Sequence, residues 1–143
     1  MMRTKFFVLA AAVLAMMMGA SIVATRATHA QTPDRVFEMR TYTCNEGKLP
    51  DLLKRFRDHT VAIFNRHHMT SIGYWVPQDA PRSADTLVYI LAHPSREAAK
   101  ANWAAFNSDP EWQKVRAESE ANGKIVNHVD SVYMNPADFS GIK

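Results

Sequence analysis

Three side chains able to move a proton or grip an anion alternate along one short stretch: Glu38, Arg40 and Tyr42. Spacing by two in an extended chain puts them on one face as neighbours. Tyr89 and His93 share a face in a second stretch of the same character and extend the row. Arg40 can hold a ligand carboxylate through two parallel N–H bonds, which the planar guanidinium fork allows. Glu38 or His93 can transfer a proton, and Tyr42 can donate to an enolate or phenolate. A structural reading competes with this one: Glu38 and Arg40 neutralise each other on a covered face while the tyrosines fill space. The row Glu38, Arg40, Tyr42, Tyr89 and His93 is therefore the candidate ligand-binding site. Whether it catalyses anything is left open.

Other chemistries find less support. Beyond residue 30 the histidines are His59, His67, His68, His93 and His128, and none forms an H-x-H or H-x-x-x-H pair. His67 and His68 are adjacent on a helical pattern and point about 100° apart, so they do not readily share an ion. No metal site is expected. No phosphate-binding loop, dinucleotide fingerprint, G-x-S-x-G elbow or C-x-x-C pair occurs, and no cofactor is expected. Cys44 is the one thiol, which rules out an internal disulfide. It reads as a partly buried free thiol, with an intersubunit bridge or a nucleophile as alternatives. Trp75, Trp103 and Trp112 read as core packing.

The elements that would position this row follow from periodicity. Val36 to Cys44 alternates as a strand. Asn45-Glu46-Gly47 is a turn signal, and Pro50 opens a helix at a position where its missing N–H is harmless. Leu49, Leu52, Leu53, Phe56, Thr60, Ile63, Phe64 and His67 form one helical stripe, ending near His67-His68-Met69. Ser71 to Val76 and Thr86 to His93 are further strands. Ser95 caps a helix over Arg96 to Asn107, and Asp109-Pro110 caps a third helix that Gly123 ends. Ile125 to Met134 is the last strand, and residues 135–143 form a tail. The order β-α-β-β-α-(α)-β is the ferredoxin-like α+β pattern: a four-stranded antiparallel sheet with helices on one face. Phe37, Met39, Val88, Ile90 and Ala92 are expected to face the helices. The opposite face, carrying the candidate row with Val36, Leu87 and Leu91, is too apolar to stay wet and is expected to be covered by a second copy of the chain.

The first thirty residues carry a basic start at Arg3 and Lys5, an apolar run from Phe6 to Ala24, and a small-x-small site ending at Ala30. This is the pattern of a secretory signal peptide, with residues 31–143 as the mature domain; an N-terminal membrane anchor is the alternative. The expected location is periplasmic or secreted, with no membrane association once the signal is removed. Of 17 Lys and Arg, Arg3, Lys5 and Arg26 precede residue 31, which leaves 14 basic residues against 14 acidic ones. Such a balanced surface argues against nucleic acid as a partner.

Three short motifs now stand in order. Phe37-Glu38-Met39-Arg40-Thr41-Tyr42-Thr43 with Gly47-Lys48-Leu49 resembles the opening strand and turn of NIPSNAP domains. Gly73-Tyr74-Trp75 resembles their second-strand signature, and Asp109-Pro110-Glu111-Trp112 their D-P-E-W helix start. The resemblance covers about residues 36–134. It implies a homodimeric α+β barrel in which two sheets meet face to face. The favoured reading is that a small organic ligand is held in the intersubunit barrel. Families sharing the barrel include cofactor-independent monooxygenases and haem-modifying enzymes, so such an activity is one alternative; a protein-interaction module is another. The second helix opens Glu97-Ala98-Ala99 and lacks the arginine many relatives carry there, and Tyr89 stands where many carry histidine.

Overall fold

The structure is a computed structural model that describes residues 35–143. The proposed signal segment lies outside the described residues. Four strands, β1 (Val36–Cys44), β2 (Thr70–Trp75), β3 (Thr86–His93) and β4 (Val126–Met134), form one antiparallel sheet in the order β2-β3-β1-β4. This is the ferredoxin-like α+β topology expected from the element order. Glu38 pairs with Leu91 and Tyr133, Arg40 with Tyr89 and Ser131, and Tyr42 with Leu87 and Val129, so the row continues across three strands.

A continuous helix, α1 (residues 49–66), follows β1. It is α-helical over Leu49–Arg55 and Val61–Arg66 and widens to a π-helical turn over Phe56–Thr60. Pro50 sits in its first turn. Its end is a Schellman closure: His68 takes a positive φ of 57°, and the Met69 amide donates to the Phe64 carbonyl at 3.0 Å. The second helix, α2 (Arg96–Ser108), is capped by Ser95, whose hydroxyl accepts from the Ala98 amide. The third, α3 (Pro110–Ser119), is capped by Asp109, which accepts from the Glu111 and Trp112 amides. Among the described residues no helix is long and apolar enough to cross a membrane.

The helices lie on the face opposite to the one expected. Leu87, Tyr89 and Leu91 join Leu52, Phe56, Ile63, Phe64 and Phe106 in one core, and Tyr42 packs against it. Fully burying each such large apolar side chain contributes roughly 1.5–3 kcal/mol. Met39, Val88 and Ile90 are instead only half-buried, on the side away from the helices. Alternation along β3 could not decide between the faces, because both are apolar. The polar residues of β1 tipped the reading toward Phe37 and Met39 as the inner face; the fold buries Glu38 by giving it partners. Phe37 on the outer face is buried at one end, where it lines a groove with Ile90, Met134, Pro136, Phe139 and Ile142 of the tail.

The family-like motifs have local physical reasons. Gly73 leaves room for the Trp75 indole, which folds back over it; a Cβ there would lie 2.6 Å from the ring. Trp75 is half exposed on the outer face, so it is not the core residue the sequence suggested. Asp109 divides its two oxygens: Oδ1 caps α3, while Oδ2 accepts from Arg66 and His67, each at 2.7 Å. The D-P-E-W start thus ties the end of α1 to the beginning of α3.

Candidate functional site

A cavity of about 390 Å³ opens between the inner face of the sheet and the three helices. Arg40, Tyr42 and Val129 line its floor; Phe56, Thr60 and Phe64 of α1, Trp103 of α2 and Trp112 of α3 form its walls. The π-helical turn shapes one wall. The Val61 amide reaches the Phe56 carbonyl five residues back, and the Thr60 hydroxyl donates to the Arg55 carbonyl at 3.2 Å. Such turns insert one extra residue per turn and are frequent at functional sites.

All five candidate residues meet here, but only Arg40 and Tyr42 line the cavity. Glu38, buried behind Arg40, is a fully engaged acceptor. Its Oε1 accepts from Arg40 Nη1 at 2.6 Å and from the Ser131 hydroxyl at 2.7 Å. Its Oε2 accepts from Trp103 Nε1 at 2.6 Å and from His93 Nε2 at 3.1 Å. An ionised carboxylate can only accept, so His93 carries a proton on Nε2. Burial pushes the Glu38 carboxyl up, but the hydrogen bonds from His93, Trp103, Ser131 and Arg40 outweigh it and hold it at about 2. So weak a base does not abstract protons near neutrality. The role of Glu38 is to position Arg40 and Trp103.

The other three divide in the same way. Burial works against the charge of Arg40, but the Tyr42 and Tyr89 oxygens and Glu38 more than offset it, so the guanidinium stays charged. It stacks on the Trp103 ring at 4.2 Å, a desolvated cation–π contact. Its Nη1 is committed to Glu38, so part of the fork is unavailable to a ligand. Tyr89 is buried, and burial with the nearby Tyr42 drives its hydroxyl pKa well above the ordinary value. That hydroxyl donates to Tyr42 at 2.9 Å, so the Tyr42 proton is free to point into the cavity. His93 is buried, does not line the cavity, and its Nδ1 has no partner among the described residues.

Several lining residues escaped the sequence reading. Trp103 and Trp112 are cavity walls as well as packing groups, and Phe106 lies 4.5 Å from Trp112, ring centre to ring centre. Arg55 has its guanidinium almost fully buried between α1 and α3. The sequence signal for it was a cation at the margin of the α1 stripe, three residues from Leu52 and next to Phe56. Cys44 is buried, and burial with Asp85 nearby pushes its thiol up to about 11, which leaves almost no thiolate at neutral pH. Among the described residues, no group of three or more His, Cys, Asp or Glu side chains could hold a metal ion.

The NIPSNAP family model matches residues 37–141, which takes in the sheet, all three helices and both Trp-bearing motifs. The chain belongs to the NIPSNAP family. A NIPSNAP family protein of unknown function from Agrobacterium tumefaciens is 24% identical, covers 78% of this chain and 96% of its own, and superposes with a TM-score of 0.67. A NIPSNAP domain protein from Burkholderia xenovorans is 26% identical, with coverages of 73% and 97% and a TM-score of 0.62. A Streptomyces coelicolor monooxygenase from the gene ActVA-Orf6, solved in complex with nanaomycin D, shares 15% identity and covers 71% and 87%, with a TM-score of 0.51. That likeness is of fold: this NIPSNAP domain has the α+β barrel architecture. A search of curated proteins finds no match.

Proposed function

We propose that this NIPSNAP domain binds a small, flat organic molecule in the cavity between its own sheet and helices. The observation that carries the reading is a cavity of about 390 Å³ walled by Phe56, Phe64, Trp103 and Trp112, with two oriented donors, Arg40 and Tyr42, on its floor. Small-molecule sites are typically apolar and aromatic hollows of a few hundred Å³ with few polar groups placed to orient the ligand. Glu38 and Tyr89 spend their hydrogen bonds fixing those two donors, which lowers the entropy lost on binding. The site therefore belongs to each chain, beneath its helices, and not to the space between two sheets. Binding is favoured over catalysis because Glu38 and Cys44 are both tuned away from proton transfer at neutral pH. A monooxygenase of similar fold was solved with an organic ligand, nanaomycin D, which is in keeping with a small-molecule reading.

The reading extends to assembly and location. A second copy is the natural cover for the outer sheet face, where Trp75 and Val132 are about half exposed beside Met39, Val88 and Ile90. Export, with the mature chain beginning near Gln31, fits the N-terminal pattern and is checked by the intact mass of extracytoplasmic protein.

Calorimetric titration with 2-naphthylmethanol, a flat neutral probe, tests the cavity. Val129 lines the floor yet is exposed on β4, so Val129→Trp should fill the cavity without disturbing the core. Binding to the parent and its loss in Val129→Trp is the expected outcome. Equal binding by both proteins, or none to the parent at millimolar probe, would overturn the reading.

A further inference from the structure

The cavity holds a second arginine whose burial its partners in the fold compensate only in part. Arg55 lines the same cavity as Arg40, and its side chain is 4% exposed. Its Nη1 donates to the Ser119 hydroxyl at 3.2 Å and lies 3.5 Å from Glu120, a long contact. Its Nε is buried with no partner among the described residues. A guanidinium has five N–H donors and loses much of its hydration when buried, a loss that only a close counter-charge restores. Glu120 restores part of it at most, because it also accepts from the Ile125 amide and lies 3.5 Å from Arg116. Burial accordingly outweighs Glu120 and lowers the Arg55 pKa, the reverse of what happens at Arg40.

The surroundings point the same way. Arg40, Arg55, Arg116 and Lys124 line the cavity and its mouth, against Glu120 among the lining residues and Glu38 behind them. Four cations thus face two carboxylates, one of which is spent on Arg40. Arg116 and Lys124 are exposed at the rim, where they attract an anion from solution. Arg55 lies over the Trp112 ring at 5.3 Å, as Arg40 lies over Trp103, so an aromatic surface meets each buried cation.

We propose that Arg55 is the anchor for a carboxylate on the ligand, and that the occupant of this cavity is an aromatic or conjugated organic acid. Its flat body lies among Phe56, Trp103 and Trp112. Its acid group pairs with the Arg55 guanidinium where it lines the cavity, and its other polar end meets Tyr42 and Arg40. The proposal rests on the cavity-binding reading above and adds the charge and the residue that reads it.

The test compares 2-naphthoate with its neutral counterpart 2-naphthylmethanol on residues 31–143 and on Arg55→Gln, by calorimetry at low and at physiological salt. The parent should bind the acid at least tenfold more tightly than the alcohol, and Arg55→Gln should abolish that preference, so that acid and alcohol bind alike. In the parent protein, the Arg55 Nε–Hε NMR resonance should shift with naphthoate and not with the alcohol; this readout decides the matter if Arg55→Gln fails to fold. Equal affinity for the two probes, an acid preference that survives in Arg55→Gln, or an unmoved Arg55 resonance on naphthoate binding would each overturn the assignment while leaving the cavity reading intact. Binding of neither probe would overturn both.

Discussion

Replacing Glu38 by glutamine keeps the shape of the side chain and removes its charge, so it isolates what the buried carboxylate contributes. Folding lowers the Glu38 pKa from an ordinary 4.5 to about 2. At about 1.4 kcal/mol per tenfold change in proton affinity, the native fold favours the ionised carboxylate by about 3 kcal/mol. The sign follows from the direction. A depressed folded pKa gives stability that is fully present above the unfolded value and is lost as pH falls through the folded one. Glutamine cannot recover this, because its amide nitrogen would face donors at Oε1 or Oε2 and the Arg40 charge would lose its partner. Glu38→Gln should therefore lower stability by about 3 kcal/mol at pH 7. The gap should narrow to about 1 kcal/mol near pH 3, where the parent has lost most of the carboxylate's contribution. Urea unfolding of both proteins at pH 7, 4 and 3 measures it. A penalty below about 1 kcal/mol at pH 7 that does not change with pH would refute the account of Glu38 as the hub of this network.

Four further outcomes follow from particular contacts. Asp109→Ala removes the α3 cap and the tie to Arg66 and His67, and should cost at least about 1 kcal/mol in chemical denaturation. Cys44 should resist a thiol reagent in the folded protein at pH 8 and react at once in denaturant, because it is buried with its pKa at about 11; rapid labelling of the native protein would contradict that environment. On the outer face, Val132→Lys should leave the domain folded while turning a dimer into a monomer by light scattering, since the side chain is about half exposed in one chain. Leu91→Lys should instead unfold the chain, because Leu91 lies in the core beneath the helices. A Val132→Lys protein that remains a dimer would move the interface elsewhere.

Much of this molecule was legible in one dimension. Strand and helix identities followed from alternation and helical spacing, which depend only on near neighbours. So did the caps at Ser95 and Asp109, because an N-cap is satisfied within three residues of itself. The grouping of Glu38, Arg40, Tyr42, Tyr89 and His93 followed as well, since a spacing of two defines a sheet face and adjacent β1 and β3 bring the two rows together. The side of the sheet on which that face lies was decided by tertiary structure alone. Both faces of β3 are apolar, and burying Glu38 is acceptable only because Trp103 from α2 and Ser131 from β4 arrive to donate to it. Those partners lie 65 and 93 residues away along the chain, beyond any local pattern. Arg55 was hidden for the same reason. On a helical wheel it is a cation beside an apolar stripe, indistinguishable from one whose head reaches water. Only the packing of α3 across α1 closes over its guanidinium and turns a surface charge into an under-partnered one facing a cavity.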